Sequence, residues 1–131
     1  MNITEFTMLA NAYGNLRQPF FFLLDFELNK PFICPLKEAI KYDIKYDIRG
    51  QKNFSKKNVR SLNGYKIQPV PVDISEYTRA FNLVKKNLQD GNSYLLNLTC
   101  ATILDTDMTL ADIFQNSSAL YKLFYKDEFI I

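Results

Sequence analysis

Histidine and tryptophan are missing from these 131 residues. Without histidine no side chain has an ordinary pKa near neutrality, so the commonest general base and the commonest metal ligand are both excluded from the chain. Cysteine is sparse: Cys34 and Cys100 stand far apart with no metal-ligand spacing. No secretion signal precedes them, so both are expected to be reduced and buried. The opening residues MNITEFTML contain no basic stretch followed by a long apolar one, which is the mark of a signal peptide. The uncharged run Pro19 to Leu24 is far too short to cross a bilayer. A cytoplasmic, membrane-free location is therefore expected.

Charge of one sign is also scarce. Sixteen Lys and Arg against 14 Asp and Glu leave +2, too little and too scattered to argue for nucleic acid. The local basic run Lys52, Lys56, Lys57 and Arg60 reads as a solvated loop, and the interleaved basic and aromatic pattern of a single-strand binder is absent. Internal repeats, low-complexity runs and heptads are missing too.

What is present is apolar and aromatic: 47% hydrophobic residues, with eleven Phe and eight Tyr. That composition describes a globular chain, and its length suits a single domain over residues 1–131. The aromatic positions are expected in the core.

The best-signalled stretch is Pro69 to Thr102. Asp73 and Glu76 have the spacing of a reciprocal capping box, with Val72 and Tyr77 at staple spacing around it. Tyr77, Phe81, Val84 and Leu88 then recur at helical steps, opposite Asn82, Lys85, Lys86 and Gln89. Gly91 is placed to end the helix in the left-handed conformation. Ser93 to Ile103 is apolar and β-branched enough to be a strand.

Taken in order, Ile3 to Leu16 predicts a helix stopped at Gly14-Asn15, and Pro19 to Glu27 predicts a strand buried on both faces. Leu28 to Lys30 is a turn into a returning strand Pro31 to Cys34, with one helical turn over Pro35 to Ala39. Tyr42 to Arg49 alternates with period two, a strand with one wet face. Gly50 to Gly64 reads as loop, and Tyr65 to Val72, broken by Pro69 and Pro71, as an extended lead-in. Thr109 and Asp112 make a second cap pair, starting a short helix with Leu110, Ile113 and Phe114 inward and its end near Asn116. Leu120 to Tyr125 and Glu128 to Ile131 follow as strands joined at Lys126-Asp127. The expected fold is α+β: a mostly antiparallel sheet of five to seven strands with two or three helices on one face.

Gly91-Asn92-Ser93-Tyr94-Leu95-Leu96-Asn97-Leu98-Thr99 resembles the G-D-x-Y-Q-V-N-L-S/T segment of chorismate-utilising enzymes, above all para-aminobenzoate synthase component I. In that family the segment follows a helix with Y-x-x-x-F/V-x-x-V/I, matched here by Tyr77, Phe81 and Val84. Asn92 replaces the usual Asp and Leu95 the usual Gln. Arg17-Gln18-Pro19, leading into the Phe-rich strand that ends Asp25-Phe26-Glu27, is similar to the start of short bacterial component I chains. Tyr121 to Phe129 resembles the hairpin ahead of the family's S-P-E-x-F/L segment, which would begin where this sequence stops. The likeness thus spans nearly all 131 residues, as the N-terminal portion of a longer enzyme in a layered fold.

The resemblance implies a parent enzyme that aminates chorismate to 4-amino-4-deoxychorismate in folate biosynthesis. It would use Mg2+ and ammonia handed over by a glutamine amidotransferase subunit. The family's catalytic and metal-binding residues belong to the later portion, so no catalytic, cofactor-binding or metal-binding residue is expected in this chain, and no turnover by it alone. The family-motif positions singled out are Gly91, Tyr94, Asn97, Thr99, Asp25 and Phe26. Asn97, the lone polar side chain in an apolar strand, is the best candidate for a specific contact. Asp25 is expected to close a strand end by accepting backbone N–H groups. The plain expectation for Glu27, Asp43 and Asp47 is solvation rather than a metal cluster.

Some relatives in the family hold tryptophan between an L-L-E/H-S strand and an N-P-x-P-Y/F turn. The corresponding positions are Leu23 to Phe26 and Asn116 to Tyr121, with Phe26 in place of the small Ser and both prolines gone. No tryptophan site is expected, because the ring fills space and removes a polar contact. The alternatives are a piece of an anthranilate, isochorismate or salicylate synthase, or a non-enzymatic α+β binding domain. Phe129-Ile130-Ile131 would leave an apolar edge, so self-association or marginal stability is expected.

Overall fold

The computed structural model describes residues 1–55 and 64–131; Lys56, Lys57 and Arg60 of the basic run lie outside them. The fold is α+β, with antiparallel pairing throughout the described residues. The chain forms two compact units, one made of Met1–Leu62 with Thr109–Ile131 and the other of Asn63–Met108.

The first unit opens with helix α1, Ile3–Asn15. Asn2 accepts from the backbone of Glu5 while the Glu5 carboxylate accepts from the backbone of Asn2, a reciprocal cap that satisfies two otherwise unpaired N–H groups. The helix ends at Asn15, at the expected Gly14-Asn15 stop. The chain turns at Arg17, which takes the left-handed conformation at φ 51. Strand β1, Phe20–Leu23, pairs with β2, Phe32–Pro35, as an isolated hairpin. β1 is shorter than the Phe-rich run, and Phe22 is 53% exposed, so it is not a strand covered on both faces. The run ends early because Asp25 folds the next residues into a turn.

A 3-10 helix, Leu36–Tyr42, follows β2 and ends at Asp43 in the left-handed region. It packs against β1, β2 and strand β3, Ile44–Ile48. β3 pairs with β4, Gln51–Lys52, inside the stretch expected to be loop. Beyond β4 the Asn53 side chain takes over the pairing: its amide oxygen accepts from Tyr46 N and its amide nitrogen donates to Ile44 O. The edge of β3 is thereby closed without a longer strand.

The chain returns to this unit at α3, Leu110–Asn116, whose Thr109 and Asp112 form the expected capping box. Strand β7, Tyr121–Tyr125, lies between β3 and β8, Phe129–Ile130, giving the order β4-β3-β7-β8. Lys126 and Asp127 both have positive φ, 48 and 55, the backbone of a type I′ hairpin turn made without glycine. The core joins Cys34, Ala39, Ile44 and Tyr125, flanked by Phe21, Phe32 and Phe129. Phe114, 1% exposed, meets the rings of Phe54 at 5.0 Å and Phe124 at 5.8 Å.

In the second unit β5, Ile67–Val70, pairs with β6, Ile103–Thr106, as a two-stranded ribbon. Pro69 is tolerated because β5 is an edge strand. Helix α2, Ile74–Gln89, lies between them in sequence. Asp73 accepts from the backbone of Ser75 and Glu76 and from the Ser75 hydroxyl. The return bond from Glu76 that a capping box requires is not formed, so the cap is one-sided. At the other end Gly91 takes φ 72, and Asn92 N reaches Asn87 O while Gly91 N reaches Leu88 O. That is the double-bonded Schellman stop.

The strand expected over Ser93 to Ile103 is the main correction. Only Ile103 onward is paired, and residues 94–102 are irregular. Tyr94 and Leu95 are 97% and 91% exposed. A strand needs a neighbouring ladder, and among the described residues none pairs with this stretch.

Candidate functional site

The six family-motif positions fall into different settings, two in the first unit and four in the second. Asp25 sits at the corner after β1, where its two carboxylate oxygens accept from Lys30 N at 2.7 Å and Asn29 N at 3.1 Å. The Lys30 amide is the main reason its carboxyl is held below the ordinary carboxylate value. Asp25 is thus a turn-forming residue, as expected. Phe26, expected to fill a pocket, is fully solvent-exposed and fills nothing. Asp25 has engaged the backbone on its far side and turned the residue after it outward.

In the second unit Gly91 ends α2. Asn92, the departure from the family's Asp, donates its side-chain amide to the Asn87 side chain at 3.1 Å, a bond that an ionised Asp could not donate. Tyr94 and Asn97 are exposed, so Asn97 is not the buried amide expected of a central strand. Thr99, with Cys100, lines an open cleft of about 520 Å³ together with Asp73, Glu76 and Tyr77. Asp73 there is held below its ordinary pKa chiefly by the Ser75 hydroxyl. Cys100 is exposed rather than buried, because the strand expected to carry it into a sheet does not form. Cys34, in contrast, is buried, and desolvation raises its thiol pKa, with the Glu38 carboxylate acting in the same direction.

The first unit carries a more apolar cleft of about 470 Å³, walled by Phe20, Phe22, Tyr46, Ile48, Tyr121 and Leu123. Beside it, Lys122 was not singled out in the sequence. Its ammonium donates to Phe114 O at 3.1 Å and Ser117 O at 2.8 Å, and lies 5.0 Å from the Phe114 ring centroid. It closes the C-terminus of α3, where a cation complements the unpaired carbonyls. Asp47 stands opposite it in the β3–β7 register, a pairing that no spacing in the sequence announces.

The carboxylates considered for a metal do not converge. Glu27 accepts from the Asn29 side chain, Asp43 pairs with Lys45 at 2.6 Å, and Asp47 accepts from Gly50 N. Among the described residues no three His, Cys, Asp or Glu side chains are grouped so as to hold a metal ion. No helix among the described residues is long and apolar enough to cross a membrane.

No known family profile and no solved structure matches the chain. Two curated proteins do. An uncharacterized "PabA-like protein" of Pasteurella multocida strain Pm70 is 43% identical over 130 residues, covering 99% of this chain and 40% of that protein. Another, from Haemophilus influenzae strain Rd, is 42% identical over 126 residues, covering 96% of this chain and 38% of its own length. The chain therefore spans about two fifths of the curated relatives it matches, and it is similar along nearly its whole length to proteins named for their likeness to PabA.

Proposed function

We propose that this chain is the scaffold portion of a para-aminobenzoate-forming enzyme of the chorismate-utilising kind, contributing fold rather than catalytic groups. The observation that carries this reading is the Gly91 to Thr99 segment, which follows a helix with the family's aromatic spacing and an intact glycine stop. The names of the two relatives support the para-aminobenzoate connection. Chorismate, Mg2+ and an ammonia-delivering glutamine amidotransferase would engage the assembled enzyme through groups outside these residues.

A second reading follows from the relatives' name: the chain would belong to the glutamine-hydrolysing component. That chemistry calls for a cysteine thiolate activated by a neighbouring base, commonly histidine. This sequence has no histidine, and burial raises the thiol pKa of Cys34, which disfavours the thiolate. These residues would then be scaffold in either case.

The test combines the 131-residue chain with the portion of the Pasteurella relative that it does not match. Chorismate consumption is measured with ammonia and Mg2+, and glutamine hydrolysis separately. Chorismate turnover by the pair, with none from the chain alone, is the expected result. Glutamine hydrolysis with chorismate untouched would instead establish the second reading.

A further inference from the structure

We draw no further inference here: the strongest candidate, the apolar cleft of the first unit walled by Phe20, Phe22, Tyr46, Ile48, Tyr121 and Leu123, carries nothing because nothing in the structure shows what covers it.

Discussion

Phe114 sits where three kinds of contact meet: the faces of two aromatic rings, the Lys122 ammonium, and the end of a helix only seven residues long. Replacing it with Ala removes a side chain that is 1% exposed and leaves a void the short helix cannot close. Phe114→Ala is expected to cost about 3–5 kcal/mol, measured as a shift in the urea midpoint. Asp25 and Asp73 give the molecule an acid sensitivity instead. Both carboxyls lie below their ordinary pKa in the folded chain, so the unfolded chain binds more protons as the pH drops. Their contribution is complete above the ordinary carboxylate range near about pH 4. It is lost as the pH falls through that range toward their lowered folded values. Asp25→Asn should flatten the acid limb of a melting-temperature profile between neutral pH and pH ~2, while leaving the neutral limb level.

Among the elements, the stop after α2 separates geometry from packing. A Cβ built on Gly91 meets no atom within 4 Å, so Gly91→Ala would cost only its left-handed backbone, about 1–2 kcal/mol. Circular dichroism should register that as lost helicity, and Gly91→Asn should lose less. This element also shows what can be read in a sequence. The cap at Asp73, the stop at Gly91 and the Thr109–Asp112 box depend on residues three or four apart, and all three are legible. The strand over 93–103 is not, because residue preference cannot supply the partner a ladder requires. Phe26 was misjudged for a similar reason: its exposure follows from two hydrogen bonds made by Asp25 further along the chain. The splice by Asn53 and the Lys122 anchor had no local pattern to betray them. The six motif positions were legible as a resemblance, and two of them lie in the first unit and four in the second.

For the molecule as a whole, sharp corners recur. Among the described residues Arg17, Leu28, Asp43, Arg49, Lys126 and Asp127 all take positive φ while carrying a side chain, in a chain with only four glycines. Each costs conformational energy that the unfolded chain escapes, so the folded state starts from a deficit concentrated at its bends. Leu28 is half exposed and gives up little packing when removed. Leu28→Gly is expected to stabilise the fold by about 0.5–1 kcal/mol, seen as a higher melting temperature.

The Lys126-Asp127 corner sets the register between β7 and β8. Two mirror-image backbone conformations are imposed there on ordinary L-residues, so a synthetic chain carrying D-enantiomers at these two positions should fold to the same hairpin more readily than the natural one.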